Sequence, residues 1–457
     1  MTPNGCCASR RVSVSLGDPT QPTTRQTDYT LVCEAPSTPT NGGRPKEGRV
    51  QDASRTPRCT KESAILSCMT GRRVRMASLV VLVTLAAISV GQGIRNALLS
   101  SQDFQWSPTR AFIQQRDPYR EYLNASPDII LSQVPNYLHG LYLALTPLGI
   151  LDFGPAKLIW AVLNVGFATT AALALCRTAR LSRFMSAMII AIFLAATPTR
   201  IAIGNGQQTL LVLLAATIAF SASRPAIAGV SLCLSLVKYS FFPLSLWFLA
   251  RRRYAVLIFA AIATGLAAIV FSIRTDVPLS LAFVEPFLVS RVGTSQGTAD
   301  IMSVTDLVLG GIGSPVSYLA AISVLAVTAG LFWRDSRFRD PLFGFSVLGI
   351  ISLIAFKHLD YDQAFLLPLA VIAFGYRARM RTRLVLGGGL VYFWFGAKIL
   401  NSLGISLGGL VPTLIQFSIL FGLLIVLKRS VSLPSLAGVG GQLTTESPSG
   451  SEPTGFE

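Results

Sequence analysis

The fold class this sequence predicts is an all-α, polytopic integral membrane protein of about twelve transmembrane helices, and three observations predict it. First, the chain of 457 residues is 51% hydrophobic and only 13% charged, with a mean hydropathy of +0.55. A soluble domain is about a quarter charged, and a single soluble core stops growing at about 250–300 residues. A soluble enzyme is therefore excluded, and so is a chain disordered throughout. Second, the apolar runs are continuous over about 15–25 residues, which fits helices and not the ten-residue alternating strands of a β-barrel. Third, the net charge of +17 falls in short clusters between those runs. These are Arg72, Arg73 and Arg75; Arg251 to Arg253; Arg377, Arg379, Arg381 and Arg383; and Lys428 with Arg429. That is positive-inside topology. With no soluble basic domain to carry a binding face, no nucleic-acid partner is expected.

Residues 1–71 are rich in Thr, Pro, Ser, Gly and Arg without a sustained apolar period, and read as a disordered N-terminal tail. The tail is either a regulatory segment or an extension upstream of a start at Met69 or Met76. Residues 72–430 form the membrane region, and residues 431–457 read as a second disordered tail. The apolar segments in between run over about 76–97, 138–152, 155–176, 184–200, 208–222, 225–249, 254–273, 307–333, 341–356, 364–376, 384–400 and 408–427. Several are shorter than the roughly 20 residues a crossing needs, which fits tilted, broken or re-entrant segments lining a cavity.

With the N-terminus inside, every basic cluster above falls inside. One loop disagrees, because Arg177, Arg180 and Arg183 land outside unless a segment among 138–222 is re-entrant. The same bookkeeping gathers three polar features on the outer face: the loop from about Leu98 to Tyr137, the loop from Arg274 to about Asp306, and the turn Lys357-His358-Leu359-Asp360-Tyr361-Asp362.

In the first outer loop, Asp103 stands beside Phe104 and Trp106 just after the first span. Ser107-Pro108 reads as an N-cap with proline at the first helical position. Phe112, Ile113, Tyr119, Tyr122 and Leu123 then share one face, against Arg110, Arg116 and Arg120 on another. That describes an amphipathic helix on the membrane surface, kinked at Pro118. In the last turn, ionisable residues between apolar segments are candidates for function, with His358 facing a phosphate and oriented by a carboxylate. Gly204-Asn205-Gly206-Gln207-Gln208 is a polar kink, and Lys238 is alone in its apolar run; it either snorkels to the interface or meets an anion in a cavity. Seven cysteines without a C-x-x-C pair and two histidines give no metal site and no redox motif.

Taken in order, Asp103-Phe104, Asp117-Pro118-Tyr119, Asn205-Gly206-Gln207, Ala228-Gly229 through Lys238 to Arg251–Arg253, and His358-Leu359-Asp360-Tyr361-Asp362 resemble the family 87 glycosyltransferases (the DUF2029 group) over about residues 80–400. The chain departs from the family's Tyr-Pro-Pro at span two, where it reads Val134-Pro135-Asn136-Tyr137. It also carries an extra residue in His358-Leu359-Asp360.

The resemblance implies a GT-C fold in the cell (inner) membrane with its active site on the outer face. It implies an inverting transfer of a hexose, mannose-like, from a polyprenyl-phosphate sugar donor to a lipid or glycan acceptor, with membrane lipid around the site; no cofactor is expected. Asp103 carries over as general base and His358 as the group that stabilises the departing phosphate. Asp117, Tyr119, Gln207, Lys238, Lys357, Asp360 and Tyr361 are the implied substrate contacts. The alternative from another class is a multi-pass transporter or lipid-linked glycan flippase. Against it, no internal repeat is evident, and the polar residues gather at one face and not at the midplane.

Overall fold

The computed structural model describes residues 61–430 apart from 101–103, 131, 293–298, 310–313, 335–337, 339, 376–379 and 406–408. The chain divides into Met1–Ile65, described only from Lys61, and Leu66–Glu457, which carries all that follows. In chain order the helices are α1 Lys61–Leu99, α2 Trp106–Ile113, α3 Pro118–Leu123, α4 Gly140–Gly149, α5 Phe153–Thr178, α6 Arg183–Ala195, α7 Thr197–Asn205, α8 Thr209–Ser221 and α9 Pro225–Ser235. A 3₁₀ turn, Tyr239–Leu244, leads into α10 Ser245–Ala250, α11 Tyr254–Thr275, α12 Leu279–Val292, α13 Ile301–Leu309, α14 Pro315–Arg334 and α15 Pro341–Ala355. A second 3₁₀ turn, Asp360–Leu366, precedes α16 Leu367–Gly375. The chain closes with α17 Met380–Val391, a π turn Tyr392–Gly396, α18 Ala397–Ser402 and α19 Leu410–Ser430. Among the described residues there is no strand.

All twelve apolar segments are mainly helical over their described residues, but they are not twelve full spans. Among the described residues, five helices are long and apolar enough to cross a membrane, or six if α6 and α7, bent by 55°, count as one. Among the same residues, seven shorter apolar helices have 10–17 residues. At 1.5 Å per residue, the ten residues of α4 reach about 15 Å, half a hydrocarbon core. The segment expected over 225–249 breaks at Lys238, whose backbone is non-helical (φ −95°, ψ 88°). Its neighbour Val237 gives the carbonyl freed by the break to Leu138 N–H, at 2.9 Å, so the broken helix leaves no orphan acceptor there. At the other end, helix begins at Lys61, inside the stretch expected as tail.

The centre of the molecule is α15 with α16. Every residue of α15 from Leu342 to Ala355 is buried, as is α16 from Leu367 to Ala373. Helices apolar on all sides belong inside a bundle. The outermost helices show the reverse: α1, α11 and α14 expose Val80, Val83, Ile88, Ile258, Ile262, Leu266, Leu319 and Ile322, a surface suited to lipid. Inner faces use small residues to bring helices close. Ala161, Ala168, Ala171 and Ala172 line the buried side of α5. At Gly229 of α9 a Cβ would lie 2.7 Å from Val256 O and 3.1 Å from Ala260 N of α11.

The expected surface helix over Ser107–Leu123 is two short helices that pack on protein. Phe112 stacks on Phe271 (5.8 Å, 2° between planes), and Tyr119 lies against Tyr142 and Phe271. Ser107 is not the N-cap; it is buried, and its N–H and Oγ–H both reach Gln133 Oε1 (2.7 and 2.8 Å). The three arginines are taken up internally: Arg110 stacks over Trp106, Arg116 binds Asp128 and Glu121, and Arg120 binds Asp117 and Glu285. Hydrophobic burial against α4, α11 and α12 outcompetes the membrane surface because α12 and α4 supply matching apolar faces.

Candidate active site

The site grows from three places where helices stop. α7 ends at Gly206, in the left-handed conformation (φ 70°) that glycine adopts without steric cost; the Asn-Gly-Gln kink is thus a helix cap. The Gly206 carbonyl then accepts from Trp160 Nε1 at 2.8 Å, and Trp160 stacks on Phe104 at 5.4 Å. Asp103 itself lies outside the described residues, but its neighbour Phe104 is buried in this corner. Gln207 Oε1 accepts from Tyr137 Oη at 3.3 Å, and the Tyr137 carbonyl accepts from Tyr119 Oη at 2.7 Å. Tyr137 therefore links Tyr119 to Gln207.

The second stop is Lys238 and the third is the end of α15, where Phe356 turns extended. These meet on Asp362, which is fully buried. Lys238 Nζ lies 2.6 Å from both carboxylate oxygens, Thr209 Oγ–H donates to Oδ1 at 2.6 Å, and His358 Nδ1 lies 2.9 Å from Oδ2. Leu359 N–H adds a longer bond at 3.3 Å. An ionised carboxylate only accepts, so the His358 proton sits on Nδ1. Its Nε2 faces Ser352 Oγ at 3.4 Å, and its ring lies 4.8 Å from Phe241. His358 is 3% exposed, so the ring expected to face a phosphate is turned toward Asp362 and Ser352. Lys238 is the accessible member, with a side chain 15% exposed. Its ammonium stands 4.8 Å above the Tyr361 ring, a cation–π contact.

The remaining candidates are distributed around this cluster. Asp360 is exposed. Lys357 turns away to Asp306 Oδ2 at 2.8 Å, and Asp306 also takes a short bond from Ser317 Oγ. Asp300 caps α13 through Ser303 N–H (2.7 Å) and Oγ–H (3.0 Å), and burial pushes its carboxyl up to about 6 against those bonds. Asp117 caps α3 through Tyr119 N–H at 2.9 Å and shares Arg120 with Glu285. Burial raises Asp117 above the usual carboxylate range, opposed by the Tyr119 N–H. Burial, then Asp117 beside it, pushes Glu285 up to about 7.

Thr209, Tyr137 and Glu285 carry no signal in a single sequence, since each acts through a partner distant in the chain. Asp362 was visible as part of a polar turn, four residues after His358. Among the described residues no three His, Cys, Asp or Glu side chains stand together to hold a metal ion.

The model of glycosyltransferase family 87 matches residues 140–356. No curated protein and no solved structure matches the chain. The matched stretch contains the Gly206 cap, Gln207, Thr209, Lys238 and Glu285, and ends just before His358. From α4 to the end of α15, then, the chain is similar to the glycosyltransferases of family 87, and that match makes it read as a membrane glycosyltransferase.

Proposed function

We propose that this enzyme transfers a hexose, mannose-like, from a polyprenyl-phosphate sugar to a lipid or glycan acceptor on the outer face of the cell membrane, with inversion. The observation that carries the reading is the Lys238–Asp362–His358 cluster at the ends of membrane-buried helices. A lipid phosphate leaves as an anion and needs fixed positive charge in a dry site, not a strong acid. Lys238 supplies that charge beside the Tyr361 ring, with His358 behind it on the same carboxylate. Asp103 is the proposed base, taking the acceptor hydroxyl's proton as that oxygen attacks the anomeric carbon. The acceptor approaches from the corner where Phe104, Trp160 and Gln207 meet; Tyr119 and Asp117 hold that corner through Tyr137. Lys357 and Asp360 take the outer rim. A prenyl tail remains in lipid while its sugar reaches the cluster.

Transfer assays in membranes with a panel of labelled polyprenyl-phosphate hexoses and pentoses, against nucleotide sugars as controls, test the donor class. Transfer from a prenyl-linked hexose alone is expected. Transfer from nucleotide sugars alone would overturn the donor reading.

A further inference from the structure

Asp362 is a heavily engaged, fully buried side chain of the described core. Its two oxygens take five contacts, from Thr209 Oγ, Lys238 Nζ (to both oxygens), His358 Nδ1 and Leu359 N–H, which occupies all of the roughly four lone-pair sites a carboxylate offers. Such a group has no lone pair left for a substrate proton. Its partners come from three separate parts of the chain. Thr209 opens α8 directly after the Gly206 cap, Lys238 stands at the break after α9, and His358 follows α15. Thr209 is 1% exposed, so it touches the carboxylate and not a ligand.

We infer that Asp362, clamped by Thr209, is a positioning residue that holds the Lys238 ammonium and the Nδ1–H form of His358 in place for an anionic group. The ammonium has three protons, and Asp362 engages two edges of it at 2.6 Å; the third proton is left for the ligand. Thr209 fixes the rotation of the carboxylate, so that Oδ1 cannot swing away from Lys238. Rigid placement by such supporting bonds is what a charge-stabilising site requires. The inference rests on the reading that a lipid phosphate binds beside Lys238.

The test uses the purified full-length protein and farnesyl phosphate as probe. Lys238→Met and Asp362→Asn should each weaken binding about 10- to 100-fold, the scale of one charged hydrogen bond. Thr209→Val keeps shape but loses the hydroxyl, and should weaken binding about 3- to 10-fold, while Thr209→Ser restores it. Lys238→Met combined with Asp362→Asn should be no weaker than Lys238→Met alone, because both act through one ammonium. Losses that multiply, or Thr209→Val binding like the parent, overturn the positioning role and leave the donor class standing. If the parent itself binds no farnesyl phosphate, the donor reading fails, and the ring proton then decides the positioning role. The chain has two histidines, so ¹⁵N-histidine spectra, assigned with His358→Gln, report the ring proton directly. It should leave Nδ1 in Asp362→Asn; a proton that stays on Nδ1 overturns the inference by itself.

Discussion

At the scale of single residues, Asp103 and His358 now make different demands. Asp103→Asn keeps shape and hydrogen bonding but cannot accept a proton, and loss of a general base costs about 10²–10⁴-fold in rate. The variant should insert normally and turn over hardly at all, with Asp103→Glu recovering part of the rate because its carboxylate is displaced. Transfer at the parental rate by Asp103→Asn removes it as base. A polar turn, as the sequence alone presents His358, would contribute little packing, so that His358→Ala would cost only a ligand contact. Burial beside Phe241 and the bond to Asp362 change that expectation. Removing the ring opens a cavity and strips a buried carboxylate of a donor, which costs about 1–3 kcal/mol. Both the melting temperature in detergent and the transfer rate should fall; an unchanged melting temperature would contradict the packing described here. This contrast also marks what one sequence reveals at this scale. An isolated Lys238 and a charged turn stand out against apolar neighbours. Their meeting on Asp362 depends on a contact 124 residues apart, which no local pattern encodes.

At the scale of elements, each apolar run in the sequence is helical over most of its described length, because continuous apolar stretches have few other ways to satisfy their backbone in lipid. Their ends are legible at the Gly204–Gln208 kink, where Gly206 caps α7 by its own conformation, but not at Lys238, where the break rests on Leu138 and Asp362 far away in the chain. Two elements can be tested separately. Gly229 lets α9 approach the α11 backbone, so Gly229→Ala pushes a methyl against Val256 O and Ala260 N. Overpacking of this kind costs about 1–3 kcal/mol and should appear as a lower melting temperature. The clasp of α3 on α12 responds to pH. Glu285 is raised to about 7 from 4.5, so the folded state holds a proton that the unfolded chain has released. Stability from this pair is full below about 4.5 and is lost as pH rises through about 7. Glu285→Gln removes that titration, so the fall in melting temperature between pH 5 and 7.5 should flatten. An identical pH slope in parent and variant would exclude Glu285 as its source.

At the scale of the whole molecule, the features expected on one face touch one another. Arg274 donates to the Phe112 and Ile113 carbonyls (3.0 and 2.6 Å), Arg120 pairs with Glu285, and Lys357 pairs with Asp306. These contacts join the first outer loop to the second, and the second to the His358 turn. On the other side, Arg253 donates to Ala222 O and Trp247 to Phe338 O (both 3.0 Å). The loop of Arg177 to Arg183, the one exception to positive-inside topology, has a physical solution in the length of α4. A helix of ten residues that enters and does not cross reverses the direction of α5, which brings Arg177 inside. Leu181 in that loop packs against Gly375, whose Cβ position is 2.8 Å from Leu181 Cδ2, next to the Arg377–Arg383 cluster in sequence. Similarly, Arg253 beside Ala222 brings the start of α9 and the end of α10 together, as a re-entrant pair with Lys238 at its tip would have them. The prediction is that Thr178, Arg251 and Ser280, all exposed, report two faces. Single cysteines at these positions, with the native cysteines replaced, are treated in intact cells with a membrane-impermeant maleimide. Cysteine at 280 should label at once, whereas cysteines at 178 and 251 should label only after permeabilisation. Labelling at 178 in intact cells would mean that α4 crosses the membrane, and the re-entrant path from the first outer loop to the Gly206 cap would have to be redrawn.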